Sequence, residues 1–431
     1  LAEEPITLKR SLGLLETTMI GVGATIGPTI FVVPVAAYML AGPAAVISFI
    51  LAGFLTLPSA LNYAMMCSAI PRAGGGYSFV YRAYNGLFAF TAGWFMWIGG
   101  TAYASLSSYT FAITVYTILG FGDITYYALA TLATFCTINY LGIKKAGRAE
   151  ALLTFIVALI LTGFVSFGVF HINWSNFEPF IPRGIFSPFI AIGYVYSIYI
   201  GFETIATVGE EIKNSRVIAP RAIILTIVSA IILFPVIMMI IVGVMSGESI
   251  VRSPEPLVDA ANLVLGPYGK VAMLFSSVVA SLATLNAAII ATTRIMFALS
   301  RDNYIPAIFM RLHKNFRTPY ISIATTALVA STFLLITNVE NMVYTTNFGY
   351  ILGLLIINLS PLGLMRKGLL KFSRFKVPQP IIALIASLIS VVMIPTLSVE
   401  SLAIGATITL LGLVLVVSYR RYLAIKEDRN A

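Results

Sequence analysis

The run Ile20-Gly21-Val22-Gly23-Ala24-Thr25-Ile26-Gly27-Pro28-Thr29 lies in the middle of an apolar stretch from residue 14 to residue 39. A helix of about 20 residues crosses the roughly 30 Å of hydrocarbon in a bilayer, so the stretch is long enough to span. Its centre is badly suited to helix. Glycine raises the entropic cost of helical backbone, and Pro28 lacks an N–H and clashes with the carbonyl four residues earlier, around Ala24. The reading predicts a spanning helix interrupted halfway. Hydrocarbon offers no hydrogen bonds, so loosened peptide groups survive only where they are buried in protein or line a wet cavity, and the interruption reads as a binding site.

Working outward, the whole chain reads as a membrane protein. Of 431 residues, 59% are apolar and 10% are charged, against about a quarter charged in an ordinary soluble domain. The mean hydropathy is +0.94. A soluble enzyme or a nucleic-acid reader does not stay dissolved with so little charged surface. Cys67 and Cys136 both fall in apolar runs, so neither a disulfide framework nor a cysteine metal cluster is expected.

Twelve spans are expected, at 14–39, 44–69, 86–117, 124–143, 151–171, 186–209, 222–246, 268–298, 319–337, 342–363, 378–396 and 401–422. With the amino terminus inside, 24 of the 27 basic residues fall on the cytoplasmic side, and Arg183, Arg252 and Lys270 fall outside. That asymmetry predicts cytoplasmic termini and a multi-pass protein of the cell membrane. It also accounts for the net charge of +10 as topology and contact with anionic lipid, so no nucleic-acid partner is expected.

Span 6 carries a second irregularity, Tyr196-Ser197-Ile198-Tyr199-Ile200-Gly201-Phe202-Glu203-Thr204. A carboxyl halfway through an apolar span is costly unless it is protonated, paired or facing water, so Glu203 reads as functional; a neutral acid bonded to the loosened backbone of span 1 is the alternative. The irregularities near residues 24 and 201 are 177 residues apart, close to five spans. An odd number of spans between equivalent helices inverts the second copy, which suggests two five-helix repeats, 14–171 and 186–363. Residues 1–13 precede them, a basic loop (364–377) and helices 11 and 12 (378–422) follow, and 423–431 form a tail. A chance match of two glycine-rich helices is the competing reading, and Gly99 and Gly100 of span 3 fit simple helix packing.

Gly23-Ala24-Thr25-Ile26-Gly27-Pro28-Thr29-Ile30-Phe31, together with Gly201-Phe202-Glu203 and Glu210-Glu211-Ile212-Lys213-Asn214-Ser215-Arg216, resembles the amino acid, polyamine and organocation transporter superfamily. Ile205-Ala206-Thr207-Val208-Gly209-Glu210-Glu211 looks especially like its cationic amino acid transporters. Arg72-Ala73-Gly74-Gly75-Gly76-Tyr77, Gly147-Arg148-Ala149-Glu150 and Ser300-Arg301-Asp302 carry the similarity through span 10. The resemblance implies an all-α integral membrane fold of twelve helices, a five-plus-five inverted repeat (LeuT-type) with helices 1 and 6 unwound at mid-membrane and two further C-terminal helices. It also implies alternating-access transport of amino acids or related amines, with no cofactor.

Within that frame, the amides near Pro28 to Ile30 suit an α-carboxylate, because a helix start carries free N–H groups and the positive dipole end. Carbonyls at Gly21, Val22 and Ile26, with those of Ile198 and Ile200, suit an α-ammonium, and Gly23, Gly27 and Gly201 leave room. Met96, Gly99, Phe202, Thr204 and Asn286 are candidates for side-chain specificity, with plain packing as the alternative for each. Tyr196, Ser197 and Tyr199, near Tyr194, are candidates for a gate. The family pattern has small residues where this chain has Pro28 and Thr29, which removes one backbone donor and adds a hydroxyl, so an amine without a carboxylate is a second substrate class.

Coupling leaves three readings open, with proton symport slightly preferred. Residues 151–170 contain no Lys or Arg, so a lysine standing in for sodium is excluded there. Ser281, Thr284 and the span 1 carbonyls offer oxygen ligands for sodium. Proton symport through Glu203 requires that its carboxyl exchange a proton near neutral pH, and uncoupled exchange is close behind. An enzyme is not expected, since His171 and His313 lie in loops on opposite sides and no catalytic pair falls at membrane depth. A channel is the remaining class. Glu210 and Glu211 are candidates for a cytoplasmic latch to Arg72 or Arg148, with solvated loop charges that contribute little as the default reading.

Overall fold

Helix falls on each of the twelve apolar stretches in the computed structural model, which describes residues 12–70, 75–84, 86–142, 147–209, 211–370 and 379–430. In chain order the helices are α1 (Leu14–Thr25), α2 (Thr29–Ala41), α3 (Ala45–Ala69), α4 (Gly75–Ala83), α5 (Gly86–Leu119), α6 (Ile124–Leu141), α7 (Gly147–Gly168) and α8 (Ser187–Val195). They continue with α9 (Thr204–Thr207), α10 (Ser215–Val244), α11 (Gly247–Arg252), α12 (Pro256–Arg301), α13 (Tyr320–Ile336), α14 (Val339–Arg366), α15 (Gln379–Met393) and α16 (Val399–Asn430). There is no β-strand among the described residues, only one bridge, between Leu12 and Ile212. Eight helical runs among them are long and apolar enough to cross a membrane. This is a multi-pass membrane protein.

Local chemistry sets several boundaries. The Asp123 carboxylate accepts the N–H groups of Thr125 (2.7 Å) and Tyr126 (3.3 Å) to start α6, and Gly142 ends it in the left-handed conformation, as cap and stop residues do. Inside α12, Gly266 has φ +65° and is followed by Pro267, so the first ten residues form a separate helix angled from the rest. That helix, α4 and α11 lie outside the twelve expected spans.

Helix α5 runs through the centre, packed against α12 and α14, while α10 lies on α3 and α15 on α14. Its hydroxyls are mostly spent on its own backbone: Thr101 on the Trp97 carbonyl, Ser107 on Tyr103 and Thr110 on Leu106. They fill helix grooves rather than act as ligands. Gly99 faces the backbone of Gly349, where a Cβ would come within 3.1 Å of the Gly349 Cα, so here the small residues of span 3 do serve close packing. Of the most apolar eighteen residues in Ser187–Thr207, 83% are buried, against 22% in Val399–Arg421. The second interrupted helix is therefore enclosed by protein, and α16 presents apolar surface outward.

Lys9, Arg10, Arg72, Lys144, Lys145, Glu210, Lys371, Arg374 and Lys376 lie outside the described residues, as does the side chain of Arg148. The candidate latch from Glu210 or Glu211 to Arg72 or Arg148 therefore lies there too.

Candidate functional site

The first interruption falls at Ile26-Gly27-Pro28, later than the glycines alone suggest. Gly21 and Gly23 stay helical, because each is where a neighbouring helix comes close. A Cβ on Gly21 would meet Ile205 and Thr226, and one on Gly23 would meet Thr154, all at 2.5 Å. Helix α1 closes with the Ile26 N–H donating to the Val22 carbonyl at 2.6 Å, so that carbonyl, expected to face an ammonium, already has a donor. Pro28 then opens α2 at φ −61°, the angle its ring imposes. The first amides of α2, at Thr29 and Ile30, begin a helix and have no acceptor within it.

The second interruption is longer. After Val195 the backbone tightens into a 3-10 turn over Tyr196–Tyr199, extends at Ile200, and passes through Gly201 at φ +131° before α9 begins. That φ admits glycine at little cost and other residues hardly at all. The Gly201 N–H donates to the Glu203 Oε2 at 2.8 Å, and the Gly201 carbonyl accepts from the Thr204 N–H (3.0 Å) and hydroxyl (2.6 Å).

The two interruptions touch. A Cβ on Gly201 would overlap the Ala24 carbonyl and the Thr25 nitrogen, so the bare peptide of one helix lies on the bare peptide of the other. Glu203, 7% exposed, stands beside this crossing among four tyrosines: Tyr63, Tyr103, Tyr196 and Tyr350. The Tyr350 hydroxyl faces its carboxyl. No Lys or Arg among the described residues acts on it. Tyr103 reaches across to the first interruption, its hydroxyl beside that of Thr29 and on the spot a Gly27 Cβ would take. Thr284 of α12 lies farther off, at ordinary contact distance, with its Oγ1 3.4 Å from that position.

A cavity of about 60 Å³ adjoins Glu203, bounded by Thr204, Met96, Gly100, Tyr63 and Tyr350, and continues past Thr207 toward Tyr77 and Arg294. It has room for a few water molecules. A larger apolar crevice of about 400 Å³ lies behind α1, between α7 and α10, where Ile232 is 64% exposed. It has no carboxylate in its wall.

Gly27, Thr29, Met96, Tyr196, Gly201, Phe202, Glu203, Thr204 and Thr284 are thus gathered around the crossing, with Phe202 edge-on to Tyr63 at 5.6 Å. Others are engaged elsewhere. Asn286 accepts a hydrogen bond from the Asn139 amide at 2.9 Å, Tyr199 donates to the Phe49 carbonyl at 2.6 Å, and Ser197 donates to the Tyr194 carbonyl at 3.1 Å. Ile30, Ile198 and Ile200 are packed in the core. Ser281 is buried, and its hydroxyl has no partner among the described residues. Sequence reasoning missed Tyr63, Tyr103 and Tyr350. A signal existed for Tyr103, which follows Met96 and Gly99 by seven and four residues on one helix face; Tyr63 and Tyr350 carried none.

An all-helical membrane bundle in which two interrupted helices meet beside a buried carboxyl defines a transporter rather than an enzyme. The amino acid permease model matches residues 12–418, and the chain belongs to that family. It is similar to the branched-chain amino acid permease BcaP of Bacillus subtilis, with 27% identity over 96% of this chain and 94% of that one. The methylthioribose transporter of the same organism is 26% identical over 88% of this chain and 87% of its own. The serine/threonine exchanger SteT is 27% identical over 78% of each.

Proposed function

We propose that this protein is a secondary active transporter of amino acids or related amines in the cell membrane, working by alternating access as a proton symporter. The observation that carries the reading is the contact of Gly201 with the Ala24-Thr25 peptide, which brings both interruptions together beside the buried Glu203 carboxyl in an apolar bundle. Twelve crossings in two inverted five-helix repeats, with both termini cytoplasmic, account for the pairing of spans 1 and 6 and for the basic asymmetry.

In this reading the substrate carboxylate meets the first amides of α2 and the Thr29 hydroxyl, where helix-terminal N–H groups favour an anion. The ammonium meets carbonyls of the interrupted backbone, and Met96, Phe202 and Thr204 bound the side chain. The names of relatives, a branched-chain amino acid permease and a serine/threonine exchanger, support an amino acid. Glu203 is the proton carrier, because its carboxyl has no cation to pair with and an unpaired buried charge is unstable. Ion-free exchange is the second reading, favoured by the exchanger among the relatives.

The route from Glu203 to Tyr77 and Arg294 runs toward the end that the basic asymmetry assigns to the cytoplasm. At the other side the Asn347 amide donates to the carbonyls of Gly193 (2.6 Å) and Tyr194 (3.3 Å), holding the end of α8 against α14. This is an inward-facing arrangement with its outer path shut.

The test is uptake of labelled amino acids and amines into liposomes carrying the purified protein, with and without an imposed proton gradient. Saturable uptake driven by the gradient is expected, and Glu203→Gln should lose the drive while keeping exchange. Equal gradient dependence in Glu203→Gln overturns proton coupling through that residue. No saturable uptake or exchange of any amino acid or amine overturns the transport reading.

A further inference from the structure

A second buried carboxyl lies far from the crossing. Glu255 sits on the connection between α11 and α12, next to Thr114 near the end of α5, whereas Tyr77 packs near the beginning of α5 at Gly93. It is 2% exposed. Its Oε1 accepts from the hydroxyls of Thr114 (2.9 Å) and Ser277 (2.6 Å), which are themselves 2.8 Å apart. Its Oε2 is buried and meets no donor. The elements packed on Glu255 present hydroxyls from α5 and the body of α12, and the one charge acting on it is that of Asp259, one turn on. Asp259 itself accepts from Ser253 at 2.5 Å. Arg252 is paired with Glu248 at 2.6 Å on the surface, and Arg183 acts on Tyr38 rather than on Glu255.

Ionised, Glu255 is an unpaired charge in a dry setting beside a second negative group, with one oxygen unsolvated. Carrying a proton, it keeps both hydroxyl donors on Oε1 and buries no charge. Burial therefore holds its carboxyl above the ordinary carboxylate range and Asp259 adds to this, while the bonds from Ser277 and Thr114 act the other way. A metal ion is a poorer fit, since Oε2 and two hydroxyls fall short of the six or more oxygens a hard cation such as calcium takes.

The segment that Glu255 anchors covers the outer half of the first interrupted span. Ile250, Leu257, Val258, Ala260 and Ala261 are buried, α11 lies on α2, and Gly247 faces the Tyr38 ring. We propose that Glu255 is a second proton-binding site, distinct from Glu203, whose protonated carboxyl pins residues 247–265 across the end of the bundle and whose deprotonation releases them. The sign follows from the chemistry. Docking is fully present at low pH and is lost as pH rises through the titration of Glu255.

Hydrogen exchange of the full chain in detergent, corrected for intrinsic pH dependence and read over residues 247–265 from pH 5 to pH 9, tests this without any substrate, so it stands apart from the transport reading. Protection in the wild type should fall by about tenfold or more across the range. Glu255→Gln, neutral at every pH and able to accept the same hydroxyls, should stay protected throughout. Should that variant fail to fold, Ser277→Ala and Thr114→Val decide: removing donors that favour the ionised form should move the wild-type transition to higher pH. Protection independent of pH in the wild type, an equal loss in Glu255→Gln, an unmoved transition in the hydroxyl variants, or protection that follows sodium rather than proton concentration overturns the proposal.

Discussion

Gly201 lies directly on the carbonyl of Ala24, so the two interrupted helices meet backbone to backbone with no side chain between them. Everything that makes the crossing polar depends on that approach. A methyl group at residue 201 would push the peptides apart and would also have to live at φ +131°.

Gly201→Ala should therefore cost about 3 kcal/mol or more, adding backbone strain to a clash that cannot relax. A fall of many degrees in the melting temperature of the detergent-solubilised protein is the expected result. Gly163→Ala is the control, since that α7 glycine has open space around its Cα; it should stay within about 1 kcal/mol of wild type.

Gly27 and Tyr103 should be coupled. Gly27→Ala places a methyl where the Tyr103 hydroxyl stands, and Gly27→Val adds more bulk and should abolish substrate binding. Tyr103→Phe removes the obstructing atom, so the Gly27→Ala/Tyr103→Phe pair should bind better than Gly27→Ala alone. Thermal shift with substrate on the four proteins of the cycle measures this; additive effects would count against contact between the two residues.

The Glu203 carboxyl also holds the Gly201 N–H, so it has a structural part separable from coupling. Glu203→Gln keeps an acceptor and should melt near wild type. Glu203→Leu leaves a buried N–H unpaired and should cost about 1–3 kcal/mol. Equal melting of the two variants would show that the hydrogen bond does not support the break.

Helices α3 and α14 are joined by a buried amide chain in which Asn62 donates to Asn358 at 3.2 Å and Asn358 donates to Ser59 at 2.9 Å. Asn358→Leu strands both partners and should cost about 1–2 kcal/mol, the upper end of what such bonds contribute within membranes. Asn62→Leu/Asn358→Leu should cost less than the two single changes together, and melting curves of the three variants decide it.

The amino-acid sequence by itself determined that the chain enters a membrane, where its helices lie, that the first and sixth spans break, and that Glu203 sits at the second break. Each depends on content within a few residues: hydropathy over a span, Pro28 without its N–H, a glycine beside an acid. Even so, the first break came to rest at Ile26 rather than among the earlier glycines, because Gly21 and Gly23 serve contacts with Ile205, Thr226 and Thr154 that no local reading supplies.

Only the tertiary structure decided which side chains surround the crossing. Tyr63, Tyr103 and Tyr350 arrive there from α3, α5 and α14, Asn286 turns away to Asn139, and Glu255 finds Thr114 and Ser277. The reason is the solvent. In water an amphipathic stripe tells which face of a helix points inward, but lipid tails are as apolar as a packed core, so helices such as α5 and α12 carry little such mark. Orientation is then settled by small residues and hydroxyls matching their counterparts on other helices, and that matching exists only once the helices have met.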